Sequence, residues 1–358
     1  MQEISCFISP HGYGHATRAI AVLDALTRIV PELQIRIITT VPESLFAETL
    51  ENFHYHPVHV DIGLIQSSAL GADIPATIKA LDLFLPFDTS LTENLASICR
   101  NSSLILCDIA PLGIAVAKLC GIPSILVENF TWDWIYTPYI KDHPEIEKHI
   151  DYLQKLSTGA DYRIQTSPLC HPAPNDLFCG PIFRQKTKSN QATRDELQWQ
   201  DKNVVVVTMG GVDQKLPDLG LLKESINFSF VFTGQNEDKK IAANIILLAK
   251  DNPTYHPNLI CAADIVICKA GYSTVAECCQ AGVHVITVGR SNFAESTVLE
   301  NYLKSTLSGA TMTQKDYFTG RWNPALSEVL RHPRPHGFKE NGAQAAAKLI
   351  ATIAATRP

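Results

Sequence analysis

Nowhere in these 358 residues is there an uncharged apolar run of 18, so the sequence offers no transmembrane segment. The first residues lack a basic stretch followed by an apolar core and a cleavage site. Ile4 to Ser9 reads instead as a buried strand, which makes a cytoplasmic protein the expectation. Cysteine is not scarce, at ten residues, but no C-x-x-C occurs. Cys278 and Cys279 are adjacent, and Cys107, Cys120, Cys261 and Cys268 sit in apolar runs, which predicts buried reduced thiols rather than disulfides or zinc ligands. His54, His56 and His59 have no acidic or cysteine companion, so no metal is expected there. No D-x-D motif lies near a plausible diphosphate site, and no cofactor is expected.

Charged residues make up 18% and apolar ones 46%, enough to build two α/β cores in a chain of this length. The net charge of −6 is uneven. Residues 1–184 carry 11 Lys/Arg against 20 Asp/Glu, and residues 185–358 carry 19 against 16. An acidic first half argues against nucleic acid as a partner, whereas the mildly basic second half suits a small anionic ligand.

Apolar, β-rich runs alternate with longer amphipathic stretches, the grammar of parallel sheets flanked by helices. In the first half, strands are expected at 4–9, 34–39, 56–60, 104–107, 124–128 and 162–166. A helix is expected over 17–30, and another over 73–100 that Pro86 breaks. The polar stretch 185–200 reads as an interdomain linker and hinge. Strands restart at 204–209, 228–233, 245–248, 265–269 and 283–288, and 337–355 reads as a closing helix. The expected organisation is an N-terminal domain over 1–184, the linker, a C-terminal domain over 201–336, and a helix in 337–358 that packs back on the first domain.

After the first strand, Ser9-Pro10-His11-Gly12-Tyr13-Gly14-His15-Ala16-Thr17-Arg18 runs straight into a helix. Glycines permit a tight turn and close approach of a ligand, and the helix start supplies free N–H groups. The dinucleotide fingerprint fails at its third small residue, and the second strand ends in Thr39-Thr40 without a ribose-binding acid. The distinctive feature is a histidine on each side of the glycines. Either ring caps the helix, or it removes a proton from an acceptor hydroxyl. Asp108 follows the strand 104–107 directly, and if that strand neighbours the first, Asp108 orients His15 and stabilises its charged form.

The second half holds Asp264-Ile265-Val266-Ile267-Cys268-Lys269-Ala270-Gly271-Tyr272-Ser273-Thr274-Val275-Ala276-Glu277. This is a buried strand, a glycine turn and a helix opened by Ser273 or Thr274 as N-cap, an anion site suited to a diphosphate. Glu277 reads as a bidentate acceptor for two ribose hydroxyls, or as the far end of a capping box with Thr274. A second glycine turn, Met209-Gly210-Gly211-Val212, follows the first strand of the same half, and two such turns favour a ligand.

These stretches, with the GPIFR string that ends at Arg184, resemble the glycosyltransferase 28 group. More specific strings are similar to the glycosyltransferase-like N-terminal module of plant L-arabinokinases: HGYGHATR, NFTWDWIY from Asn129, KAGYSTVAE, RSNFAE from Arg290 and DYFTGRW from Asp316. The resemblance implies a GT-B fold, an α/β architecture of two Rossmann-like domains facing each other across a cleft. It implies that His15 is the deprotonating histidine, supported by Asp108, and that Glu277 binds ribose. Gly271, Ser273 and Thr274 would then form the diphosphate turn. Glu295 and Ser296 fall where the family places a pair of glutamines on the donor sugar. On the acceptor side stand His11, Gly14, Glu128, Asn129, Trp132, Asp133 and Trp134, with the two tryptophans placed either to stack on a sugar or in the core.

The expected function is therefore metal-independent, inverting transfer from a nucleotide diphosphate sugar, a UDP-sugar by preference, to an unidentified acceptor. Gly210, Gly211, Lys269 and Arg184 would stabilise the leaving group. The rival readings are a sugar-nucleotide 2-epimerase, for which Glu128 is the spare acid/base, and a sugar-nucleotide sensor or a module that channels substrate to a partner kinase.

Overall fold

The structure, a computed structural model, describes residues 3–68, 70–173, 177–199, 203–211, 215–290 and 293–355. Gln200 of the expected linker, Val212 of the glycine turn, and Ser291 and Asn292 of the RSNFAE string lie outside the described residues. The chain divides into two compact units: residues 1–65, 73–183 and 341–358, and residues 66–72 with 184–340.

In chain order the strands begin β1 (Glu3–Ile8), β2 (Gln34–Ile38), β3 (Phe53–His56), β4 (Gln66–Ser68), β5 (Gly71–Ala72) and β6 (Leu104–Asp108). They continue β7 (Ser124–Glu128), β8 (Tyr162–Thr166) and β9 (Leu177–Cys179). The first unit's sheet runs β3-β2-β1-β6-β7-β8-β9, all parallel. Both faces are covered, which is why these strands read as unbroken apolar runs. Ile4, Cys6 and Ile8 pack with the helices Gly14–Ile29 and Gly342–Ala355. Phe7, Ile105 and Cys107 pack on the other side with Leu95, Cys99 and Leu112.

The third strand ends at His56 rather than running from 56 to 60, because Pro57 has no N–H to continue the ladder. The 73–100 stretch is two helices, Ile74–Phe84 and Thr89–Cys99, with Pro86 between them. The closing helix begins at Gly342, not near 337. Asn341 sets that start: its Oδ1 accepts from Ala343 N at 3.0 Å and Phe183 N at 3.3 Å, and its Nδ2 donates to Phe183 O at 2.7 Å.

The second unit holds β10 (Asn203–Thr208), β11 (Phe228–Gln235), β12 (Lys239–Ala242), β13 (Ile245–Ala249), β14 (Ile265–Lys269), β15 (His284–Val288) and β16 (Ala310–Met312). Its sheet runs β12-β13-β11-β10-β14-β15-β16, with only β12 antiparallel to its neighbour. The hairpin of β4 and β5 belongs to this unit, and Leu70 packs among Val205, Met209 and Phe230.

The 185–200 stretch is not a bare linker. It contains a helix, Asn190–Glu196, whose N-cap Ser189 accepts from Ala192 N. Asn258 Oδ1 accepts from Thr187 N and Lys188 N, and Arg194 donates to Ala262 O and Asp264. Polar side chains, together with Leu197 and the buried Trp199, tie this segment to the rest of the second unit. Among the described residues no helix is long and apolar enough to cross a membrane.

A Cβ on Gly342 would stand 2.1 Å from Gly180 O. Alanine is the better helix former by about 1 kcal/mol, but here the backbone clash opposes it, at about 1–3 kcal/mol for forced overpacking. Gly342→Ala should therefore lower the thermal midpoint. A raised midpoint would mean that the helix start yields freely.

Candidate functional site

In the first unit, β1 and β6 lie side by side with Ile8 opposite Asp108, so both strands end at the loop that opens the helix Gly14–Ile29. Tyr13 is the N-cap and gives no side-chain capping bond. His15 turns instead to Asp108, with Nδ1 at 3.1 Å from Oδ1. Asp108 is gripped harder by Arg18, which the sequence reading did not assign to the site. Arg18 Nε donates to Oδ2 at 2.8 Å and Nη2 to Oδ1 at 2.6 Å. Arg18 Nη1 also donates to Asn129 Oδ1 at 2.8 Å, and Nη2 lies 3.2 Å from His15 Nδ1. The Arg18 and Asp108 side chains are 1% and 2% exposed. Burial pushes the Asp108 carboxyl up, but the charge and hydrogen bonds of Arg18, with His15, bring it below its usual value.

Around this trio the walls are aromatic. Phe130 meets the His15 ring edge-on at 5.8 Å and Trp132 at 6.3 Å. Trp132 also meets His11 at 5.1 Å and stacks on Tyr136 at 5.8 Å. Its indole N–H donates to the buried carboxylate of Asp61, a second group the sequence reading missed. Burial raises Asp61 to about 7 against hydrogen bonds from Ser9, Trp132 and the 62–63 backbone. His11 Nδ1 accepts from Leu64 N at 3.3 Å, and Tyr136 donates to Gly63 O at 2.6 Å. Gly63 has φ +62°, and a Cβ there would stand 2.7 Å from His11 Nδ1, so only glycine fits.

Of the paired tryptophans, Trp132 lies in the core and Trp134 is half-buried. Trp132 is fully buried and committed to Asp61, while Asp133 accepts from Ser157 at 3.4 Å on another side of the helix Trp132–Tyr136. Residues two apart on a helix do not face each other, so Trp132 and Trp134 lie on different sides of this one. Glu128 is buried too: Gln165 Nε2 donates to its Oε1 at 2.6 Å, and Arg163 Nε lies 3.3 Å away.

In the second unit, β10 and β14 are parallel neighbours. The turn after β10 has both glycines left-handed, φ +63° at Gly210 and +78° at Gly211. Lys269, at the end of β14, lies across it: a Cβ on Gly210 would be 3.3 Å from Lys269 Cε. Burial and the charge of Arg290 pull the Lys269 amine down to about 7, while Glu295 pulls it up.

The helix after β14 spans Tyr272–Ala281 with Gly271 as N-cap, not Ser273 or Thr274. Glu277 is thus the sixth helical residue, too far along for a capping box. It is buried, with Oε1 accepting from Arg184 Nε at 3.2 Å and lying 3.2 Å from Arg184 Nη2. Oε2 accepts from His256 Nδ1 at 2.9 Å, and His256 Nε2 meets Thr208 Oγ1 at 3.3 Å. Burial raises the Glu277 carboxyl, but Arg184 and His256 bring it below its usual value. Arg184 is therefore tied to Glu277, where the sequence reading placed it on a diphosphate. His256, which carries no motif of its own, was missed. Glu295 and Ser296 open the helix Ala294–Leu307 and are buried; Ser296 Oγ has no hydrogen-bond partner among the described residues.

Residues 195–350 match the family described as glycosyltransferase family 28 C-terminal domain. Over 363 aligned residues, 98% of this chain is 29% identical to L-arabinokinase of Arabidopsis thaliana, and the chain spans about a third (34%) of that relative. Among solved structures, the glycosyltransferase of kitacinnamycin superposes with TM-score 0.66 at 15% identity, covering 98% of each chain. Acinetobacter baumannii MurG gives 0.55 at 16%, covering 98% of this chain and 100% of that one. A Polygonum tinctorium UDP-glucosyltransferase gives 0.63 at 15%, covering 99% and 98%. Residues 195–350 are thus similar to the glycosyltransferase family 28 C-terminal domain, in a chain that has the fold of the GT-B glycosyltransferases.

Proposed function

We propose that this protein transfers a sugar from a nucleotide diphosphate donor, a UDP-sugar by preference, to an acceptor hydroxyl by a single, inverting displacement that needs no metal. The observation that carries the reading is the second unit's cradle. Two left-handed glycines and Lys269 meet at the ends of adjacent parallel strands, where open α/β sheets bind ligands. Its amides and ammonium suit a diphosphate. Glu277 takes the ribose through the acceptor capacity that Arg184 leaves on Oε1 and His256 leaves on Oε2. Glu295 and Ser296 are the candidate contacts to the sugar.

His15 is the base in the first unit. With Nδ1–H donated to Asp108, the lone pair that takes the proton is on Nε2. The acceptor oxygen bonds to the anomeric carbon as the carbon–oxygen bond to the diphosphate breaks, and the diphosphate leaves with the electron pair. His11, Gly14 and Asn129 lie on the acceptor side. An unidentified hydroxyl compound is the second substrate, and a kinase that uses the product is the partner suggested by the likeness to L-arabinokinase.

Binding and turnover should separate between the units. Glu277→Gln should weaken nucleoside diphosphate binding by about 1–3 kcal/mol. His15→Gln should leave that affinity within about a few-fold while transfer falls by roughly 10²–10⁴. Calorimetry and product assays on folded variants check both, and an unchanged affinity in Glu277→Gln would remove ribose from its role.

Lys269 supplies a pH test. With the free amine near 7, a bound diphosphate raises it, so binding takes up a proton. Affinity should then fall as pH rises from 7 to 9, by up to about tenfold per unit. Titration calorimetry in buffers of different ionisation enthalpy should detect the uptake, and Lys269→Met should abolish it. A pH-independent affinity in the unaltered protein would place the diphosphate elsewhere.

A further inference from the structure

In a simple histidine–aspartate pair the carboxylate serves the imidazole alone: it accepts from Nδ1–H and offsets the charge that forms when Nε2 takes a proton. Here the carboxylate is already neutralised. Arg18 takes both oxygens of Asp108, at 2.8 Å and 2.6 Å. Its Nη2 then lies 3.2 Å from the His15 Nδ1 that the same Asp108 Oδ1 approaches at 3.1 Å. One anion is shared by a permanent cation and a titratable ring, in a site where all three side chains are at most 8% exposed.

We propose that Arg18 is a positioning residue that holds His15 neutral in the unliganded protein and contests its Nδ1 with Asp108. If Nδ1 carries the proton, it donates to Oδ1. If it does not, Arg18 Nη2 donates to it. Protonation of the ring closes the second option, because both ring nitrogens are then donors, and places two cations about one carboxylate. At these separations, away from water, that repulsion is large. The helix Gly14–Ile29 contributes Arg18, and β6 contributes Asp108. The rings facing His15 from the segment after β7, Phe130 and Trp132, are uncharged. Asp61 reaches the cluster through the Trp132 indole, and His11 packs on the same indole. Asn129 fixes the far nitrogen of Arg18, so the guanidinium cannot swing off Asp108 unless that bond also breaks.

The consequence for catalysis rests on the reading of His15 as the base: proton removal is restrained until something loosens Arg18. The test does not depend on that reading. The full chain is labelled with 15N-histidine, the His15 signals are identified by their loss in His15→Gln, and the ring is titrated without nucleotide or acceptor. In the unaltered protein His15 should be neutral at pH 6. In Arg18→Gln its midpoint should move to higher pH by about one unit, a tenfold gain in proton affinity. Arg18→Lys, which keeps the cation, should stay near the unaltered midpoint. A His15 that is already cationic at pH 6, or a folded Arg18→Gln that titrates as before, would overturn the proposal. Should Arg18→Gln not fold, the spectrum of the unaltered protein still decides. Absence of any transferase activity would count against the proposed function and leave this result standing.

Discussion

A carboxylate withdrawn from water must be met by positive charge or by donors, and that requirement shapes both candidate sites. In the first unit Asp108 sits at the end of a strand with no access to solvent, and Arg18 reaches back one helical turn to hold it. Removing either partner strands a buried charge, which costs about 3–5 kcal/mol. The pair therefore fixes the start of the helix Gly14–Ile29 against β6, and with it the place of His15. Asn129, at the end of the next strand, is drawn in by the same guanidinium.

The second unit solves the problem with an acid, an arginine and a histidine again. Glu277 is buried on a helix and held by an arginine, Arg184, and a histidine, His256. Each unit thus presents an acid, an arginine and an imidazole beside the ends of its parallel strands. In the first unit the imidazole carries the proposed chemistry. In the second it links the acid to Thr208 at the end of β10, next to the two-glycine turn. A nucleotide held by Glu277 and by that turn would be bound by groups already ordered before it arrives, which lowers the entropic cost of binding.

Most of the sheet strands were legible because strands covered on both faces read as apolar runs; β7, β8 and β14 have the expected ends. What escaped was short or polar. β9, β12 and β16 have three or four residues each, too few for a periodic signal. The hairpin of β4 and β5 joins the second unit from the middle of the first unit's sequence, a long-range choice that local pattern does not encode. In the sites, His15, Asp108 and Glu277 stood at motif positions. Arg18, Asp61 and His256 did not stand out, because their partners are 90, 71 and 21 residues away in sequence. The HATR string did contain Arg18, and an arginine on the buried face of a helix needs an anion somewhere; that signal was available.

The central claim is glycosyl transfer, and the most direct measurement is a product balance. The protein is incubated with a panel of nucleotide diphosphate sugars and of hydroxyl-bearing small molecules, and the mixtures are resolved by mass spectrometry and anomeric NMR. The account predicts an acceptor heavier by one glycosyl residue, an equal amount of nucleoside diphosphate, and inverted configuration at the anomeric carbon. An isomerised sugar nucleotide of unchanged mass, a retained configuration, or binding with no turnover across the panel would contradict it.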